Sequence, residues 1–294
     1  MRVADQSIDE GIFQPIFGLR GWLVGTHVHT RRLAIMTLEG KVREVISEFQ
    51  LFSTKEDNNI QAPSPQEFSR FIDHTLLKPE ATDRDILALC IDAVQHHFKT
   101  VCVNSSWIST CVQFLSDISQ LSPGKHRDPA PTPPVPIAVV GFPLGAGLTE
   151  SKAGEARLAI EQGAKEIDMV MHVGRLRGGH YEYVFEDIKA VYDTCGQVPL
   201  KVILETSLLT RDEIIAACYI CKEVGVAFVK TSTGFAGGGA KVEDVALMKA
   251  VVGEGIEVKA SGSIRTYEDA VKMWKAGATR IGASASVAIV RTKI

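Results

Sequence analysis

Two lysines stand inside runs that otherwise carry no charge: Phe228-Val229-Lys230-Thr231 and Val258-Lys259-Ala260. An ammonium in an apolar segment is costly unless it is paired or neutral. Asp168, within Glu166-Ile167-Asp168-Met169-Val170, offers a partner. A single structural ion pair would account for one lysine and leave the other unmotivated. A second ammonium near Lys230 disfavours its protonation, and so does desolvation. A neutral amine attacks carbonyls. The product is an imine, and its protonated form is an electron sink. A carbon–carbon bond can then break with its electrons held as an enamine. The expected chemistry is aldol cleavage without metal or cofactor.

Small and hydroxyl-bearing residues follow the same segments. Lys230-Thr231-Ser232-Thr233-Gly234, Ala260-Ser261-Gly262-Ser263 and Gly282-Ala283-Ser284-Ala285-Ser286 let backbone N–H groups approach an anion and add hydroxyl donors. Each loop alone is weak evidence, because glycine also serves tight turns. Together they predict a phosphate cradle.

These residues must be positioned by something, and from residue 68 the chain alternates short apolar runs with amphipathic stretches. The runs are Phe71–Leu77, Thr100–Asn104, Ile137–Phe142, Glu166–His172, Leu200–Thr206, Ala227–Thr231, Glu257–Ser261 and Arg280–Ala283. Rich in Val and Ile, they read as parallel strands buried on both faces. Capping signatures open the helices between them, Thr210 with Glu213, Thr266 with Asp269 and Thr82 with Asp85, and Gly225 and Gly277 close two of them. A repeated unit is visible in Gly163-Ala164-Lys165-Glu166-Ile167-Asp168, Gly225-Val226-Ala227-Phe228-Val229-Lys230 and Gly277-Ala278-Thr279-Arg280-Ile281-Gly282. The pattern predicts an α/β fold, a (β/α)8 TIM barrel with an N-terminal extension. An open doubly wound sheet is the alternative. In a barrel the reactive groups sit at the C-terminal strand ends.

The 294 residues are 45% hydrophobic and 23% charged with a net charge of −3, which excludes wholesale disorder and argues against a nucleic-acid-binding surface. No apolar run reaches membrane-helix length, and the N-terminus lacks a signal-peptide core, so no membrane partner and a cytoplasmic location are expected. The scattered Cys90, Cys102, Cys111, Cys195, Cys218 and Cys221 suit a reduced protein. Cys218 and Cys221 form a lone Cys-x-x-Cys, read as buried helix thiols rather than half a zinc site. Half of the 12 prolines fall between Pro123 and Pro136, in a surface insertion. Residues 1–66 form an extension ending in a polar linker, Ser53–Pro65, and residues 67–294 form the barrel. Within the extension, His27 and His29 would share a face on a strand and suit a metal; incidental histidines in an exposed extension are the competing reading.

Taken in order, Phe71-Ile72-Asp73-His74-Thr75-Leu76-Leu77-Lys78-Pro79, Val101-Cys102-Val103-Asn104, Val140-Gly141-Phe142-Pro143-Leu144-Gly145, Glu166-Ile167-Asp168-Met169-Val170, Phe228-Val229-Lys230-Thr231-Ser232-Thr233-Gly234-Phe235 and Val258-Lys259-Ala260-Ser261-Gly262 resemble the deoxyribose-phosphate aldolases. The resemblance spans residues 68–290. It implies a class I aldolase cleaving 2-deoxy-D-ribose 5-phosphate to D-glyceraldehyde 3-phosphate and acetaldehyde, in deoxynucleoside breakdown. It implies Lys230 as the Schiff-base lysine, Lys259 as the lysine that tunes it, and Asp168 as the proton-handling acid, working with Lys259 and a water. Asp73 would lie near the substrate hydroxyls, and Gly262, Ser263 and Ser284 on the phosphate side, with Thr231 and Gly234 also at the substrate. Lys201 shares a strand face with Ile203 and Glu205 and is expected to be structural or supporting. A homo-oligomer, dimer or tetramer, is the expected assembly.

There are departures. Some members of the family carry a lysine directly after the Ser-Thr-Gly of strand 6, where this chain has Phe235, so phosphate charge would fall to backbone, hydroxyls and a different cation. Some also end in a tail tyrosine that reaches the active site, whereas this chain ends Val290-Arg291-Thr292-Lys293-Ile294. Two competing functions remain at this level. A metal-dependent hydrolase would rest on His27 and His29. A non-catalytic sugar-phosphate-binding barrel would explain the loops and leave both lysines unmotivated.

Overall fold

Short apolar runs separated by capped amphipathic helices can bury both faces of every strand only beneath a helical layer. The computed structural model, which describes residues 37–53, 60–121 and 132–291, shows this arrangement. In chain order the elements are α1 (Leu38–Glu48), α2 (Pro65–Phe68), β1 (Ile72–Leu76), α3 (Asp83–Gln95), β2 (Thr100–Asn104), α4 (Ile108–Leu121), β3 (Val135–Val140), α5 (Thr149–Glu161), β4 (Glu166–Val170), α6 (Val173–Arg177), α7 (Tyr181–Cys195), β5 (Leu200–Ile203), α8 (Arg211–Val224), β6 (Phe228–Lys230), α9 (Val242–Val252), β7 (Glu257–Ser261), α10 (Tyr267–Lys275), β8 (Arg280–Ala283) and α11 (Ser286–Val290). The strands close in sequence order into an eight-stranded barrel, every neighbour parallel, with β1 paired to β8 through Ile72–Ile281 and Asp73–Gly282. The chain is a (β/α)8 TIM barrel, and the doubly wound alternative is excluded.

The caps hold as expected. Glu213, Asp269 and Asp85 each accept the N–H of their N-cap threonine, Thr210, Thr266 and Thr82. Gly225 ends α8 in the left-handed conformation at φ 84°. Cys218 and Cys221 are fully buried in α8, as read from the sequence.

Several strands end sooner than the apolar runs suggest. Beyond Ile203 the chain turns at Glu205, a non-glycine residue at φ 58°, into a 3₁₀ turn over Thr206–Leu208. His172 caps α6 instead of extending β4, its Nδ1 accepting the Arg175 N–H at 3.3 Å. Hydrophobicity continues past these points because the turns remain buried, so an apolar run overestimates strand length.

Part of the N-terminal extension is described. Within residues 1–66, which show no clear helix–strand alternation in sequence, lies α1, which packs on α8 with Val42 fully buried. Arg211 of α8 donates to the Phe49 and Phe52 carbonyls at 3.2 and 2.6 Å. Leu38, Val42, Val45, Ile46 and Phe49 form the apolar stripe that an i, i+3/i+4 repeat produces. His27, His29 and residues 122–131 of the proline-rich insertion lie outside the described residues.

Candidate active site

The barrel interior is divided between two chemistries. On one side Leu77, Cys102, Ile137 and Val139 form a small apolar cluster. On the other, buried charges project inward from β1, β4, β5, β6, β7 and β8.

Asp168 is fully buried and takes three lysines. Lys201 Nζ reaches its Oδ1 at 2.8 Å, while Lys230 and Lys259 reach its Oδ2 at 2.8 and 2.7 Å. Burial works against charge on Asp168, but Lys201, Lys230 and Lys259 outweigh it and hold the carboxyl well below its usual range. Lys259 also pairs with Asp73. Burial opposes its charge too, yet Asp168 and Asp73 hold its ammonium above the ordinary lysine value. Lys230 shifts the opposite way. Burial, aided by the neighbouring Lys259 charge, lowers its pKa against the pull of Asp168. Two lysines in register on adjacent strands are thereby driven apart in acidity, one fixed as a cation and the other moved toward the free amine.

Gly282 makes this possible on β8. A Cβ there would stand 2.9 Å from Lys259 Cε and 3.1 Å from Ser261 Cβ, so a side chain would displace the lysine.

Above the charges opens a cavity of about 370 Å³ with Lys230 in its lining. Backbone and hydroxyls of Ser232, Thr233 and Gly234 after β6, Gly262 and Ser263 after β7, and Ser284 after β8 form its walls. Lys78 and Arg265 bring positive charge to it. Hydrogen bonds tie the loops together. Thr231 Oγ1 donates to the Ser261 carbonyl at 2.9 Å, and Ser261 Oγ donates to the Ser232 carbonyl at 2.6 Å. Glu205 Oε2 accepts the Thr233 N–H at 3.1 Å and also its hydroxyl. Gly262, at φ 86°, passes 2.9 Å from the Gly239 Cα measured from where a Cβ would sit, so this crossing excludes any larger residue. The arrangement offers an amine of lowered basicity at the base of an anion-accepting pocket.

The family model described as DeoC/LacD family aldolase matches residues 70–291. The chain belongs to the DeoC/LacD aldolase family. It is 41% identical to a candidate deoxyribose-phosphate aldolase from Coccidioides immitis, with 87% of this chain and 97% of that one covered at a TM-score of 0.77. It is 27% identical to a tetrameric deoxyribose phosphate aldolase from Aeropyrum pernix, covering 84% of this chain and 96% of that one at a TM-score of 0.66. The protein is an aldolase, a carbon–carbon lyase on a TIM barrel.

The structure of this aldolase brings some of the expected residues together and separates others. Lys230, Gly234, Gly262, Ser263 and Ser284 line the cavity. Lys259 and Asp168 lie beneath it, in contact with each other and with the charge network. Asp73 is fully buried in that network, bound to Lys259, Arg280 and the Thr100 hydroxyl, and it does not line the cavity. Its carboxyl is held at about 2: burial opposes its charge, and Lys259 and Arg280 outweigh burial. Thr231 is fully buried and serves as the cross-link between the loops after β6 and β7. Phe235 is half exposed at the mouth, edge-on to Phe142 with ring centroids 5.2 Å apart. Lys201, read as structural or supporting, is fully buried at Asp168 and Glu166.

Four participants escape the sequence reading: Arg280 and Glu166 in the network, and Lys78 and Arg265 at the cavity. Arg280 and Glu166 open their strands, where a charge ordinarily marks a solvated strand end. Arg265 precedes a helix cap and resembles any surface arginine. The signal for Arg280 is its position in the third copy of the repeated unit, preceding the fully apolar Ile281 in a strand with no other charge.

Proposed function

We propose that this aldolase cleaves 2-deoxy-D-ribose 5-phosphate to D-glyceraldehyde 3-phosphate and acetaldehyde through an imine on Lys230, and so serves deoxynucleoside breakdown. The observation that carries the reading is Lys230 itself. Its Nζ stands at the base of the cavity on a carboxylate oxygen already occupied by Lys259. Desolvation and that second cation favour the free amine, which is the form that adds to a carbonyl.

The steps follow from the placement. Lys230 Nζ adds to the C1 aldehyde of the open-chain sugar, and loss of water gives the protonated imine. Removal of the C3 hydroxyl proton lets the C2–C3 bond break. Its electron pair moves toward the iminium nitrogen, leaving an enamine on Lys230 and releasing glyceraldehyde 3-phosphate. Protonation of the enamine at C2 and hydrolysis of the imine release acetaldehyde and restore the amine. The protonated imine is the electron sink throughout. Asp168, joined to both lysines, is assigned to proton handling with Lys259 and water. The substrate phosphate would lie against Gly262, Ser263 and Ser284, with Arg265 and Lys78 supplying the positive charge that Phe235 does not.

Borohydride added with acetaldehyde tests this. It should fix a two-carbon adduct on Lys230, located by peptide mapping, and abolish activity. An adduct on Lys259 or Lys201, with Lys230 free, would overturn the assignment.

A further inference from the structure

The charges beneath Lys230 form a closed ring. Asp168 pairs with Lys201 at 2.8 Å, Lys201 with Glu166 at 2.6 Å, Glu166 with Arg280 at 2.9 Å, Arg280 with Asp73 at 2.8 Å, Asp73 with Lys259, and Lys259 with Asp168 at 2.7 Å. Signs alternate around it: three acids, three bases, and a formal sum of zero. Lys230 hangs outside the ring on Asp168. We propose that Arg280 is a positioning residue for the aldol reaction: by closing a charge-neutral ring it makes Lys230 the surplus cation of the barrel floor and so the amine that gives up its proton. The proposal rests on the imine at Lys230.

Every side chain of the ring is 11% exposed or less, so an unbalanced charge there has little water to turn to. With Lys230 protonated the cluster carries one excess positive charge. Releasing one proton removes the excess, and the ring decides which base releases it. Lys201, Lys259 and Arg280 each have two acidic partners, while Lys230, among the described residues, has one, and it shares that oxygen with Lys259. Lys230 also borders the cavity, where the proton can leave.

Arginine suits the closing position. Its guanidinium stays charged under all working conditions, and its planar fork reaches two carboxylates at once. Here one arm takes Asp73 Oδ1 from β1 and the other takes Glu166 Oε1 from β4. Phe228 supports both ring cations next to it, its centroid 5.5 Å from Arg280 Cζ and 5.7 Å from Lys201 Nζ. Arg280 does not border the cavity. It acts on Lys230 only through Asp73, Lys259 and Asp168. The charged and titratable groups around Lys230 are Asp168 from β4, Lys259 from β7 and Cys102 from β2, with Lys201 from β5 behind Asp168.

The test is the pH dependence of borohydride trapping with acetaldehyde in the full chain, for wild type, Arg280→Met, Glu166→Gln and the double variant. Arg280→Met leaves the ring at −1, so a protonated Lys230 now balances it. Its trapping midpoint should rise by about one pH unit or more, a tenfold loss of trapping below the midpoint. The double variant restores a neutral ring and should return the midpoint to within a few tenths of wild type. Glu166→Gln alone leaves the ring at +1 and should place the midpoint below that of the double variant, a comparison that stands even where Arg280→Met fails to fold. A merely structural arginine would lower stability or yield and leave all midpoints together. Superimposed midpoints in wild type, Glu166→Gln and the double variant would overturn the proposal. Absence of trapping on wild-type Lys230 would instead sink the imine reading beneath it.

Discussion

Lys230 and Lys259 are register partners on β6 and β7, and both place Nζ on the same atom, Oδ2 of Asp168, at 2.8 and 2.7 Å. Two ammonium groups on one oxygen repel each other, and the better-paired one keeps its proton. Lys259, held also by Asp73, is that one. Replacing it by leucine removes the repulsion and frees Asp168 for Lys230. The Lys230 pKa then rises, so imine trapping, which needs the free amine, moves to higher pH. Lys259→Leu should be badly impaired near neutrality and recover trapping as pH increases. A trapping midpoint displaced by one pH unit would correspond to about 1.4 kcal/mol of lost repulsion. Lys259→Arg keeps the charge and should trap closer to wild type, yet turn over slowly if that position also relays a proton. Superimposed trapping profiles for the three proteins would show that Lys259 does not tune Lys230.

Asp168→Asn has a different signature. Lys201 keeps Glu166 and Lys259 keeps Asp73, but Lys230 loses its acidic partner. Imine formation should persist to lower pH, while the proton transfers around it fail. A loss of about 10²–10⁴-fold in kcat is expected, with KM within a few-fold of wild type. Removing one partner of a buried ion pair commonly costs about 3–5 kcal/mol, so a lower Tm should accompany it. Unchanged kcat with much weaker substrate affinity would make Asp168 a binding residue.

Much of the barrel is legible in the chain because parallel strands buried on both faces become unbroken apolar runs. β2, β7 and β8 fall where the runs fall, at Thr100–Asn104, Glu257–Ser261 and Arg280–Ala283. Lys230, Lys259 and Asp168 are legible because their charge interrupts such runs. Two members of the ring, Glu166 and Arg280, are not. Glu166 and Arg280 begin their strands, and only barrel closure, which brings β8 beside β1, carries Arg280 to Asp73. That contact joins residues 207 positions apart, a separation no local pattern encodes. The resemblance points Asp73 toward the substrate, and Thr75, two residues on and on the same face of β1, does line the cavity, yet depth along the strand places Asp73 in the network below.

Arg265 gives the cavity a positive charge on the side of Gly262 and Ser263. If it meets the substrate phosphate, Arg265→Ala should raise KM for the phosphorylated sugar about tenfold or more, as expected from losing a charge-assisted hydrogen bond worth about 1.5–3 kcal/mol. The effect on kcat should be small, and unphosphorylated 2-deoxyribose should be cleaved equally well by both proteins. Equal loss with both sugars would assign Arg265 to loop structure instead of phosphate recognition.

Stability and chemistry separate at α1. Every residue assigned to the reaction lies at Asp73 or beyond, whereas α1 buries Val42 completely and the carbonyls of Phe49 and Phe52, just past its end, accept Arg211. A chain beginning at Met36 retains α1; a chain beginning at Pro65 does not. Burial of a valine is worth about 2 kcal/mol, and Leu38, Val45, Ile46 and Phe49 add partial burial on the same face. At roughly 2–4 °C per kcal/mol for a domain of this size, the chain from Pro65 should melt at least several degrees below the chain from Met36. It should also expose the apolar surface of α8 that α1 covers, and so aggregate more readily. Measured on folded protein at about 25 °C, both chains should turn over within about twofold of the full-length enzyme, because neither truncation removes a group assigned to general acid–base or imine chemistry. Equal melting temperatures would mean that α1 contributes nothing to the barrel. A folded chain from Pro65 with lost turnover would place part of the active site in the residues before it.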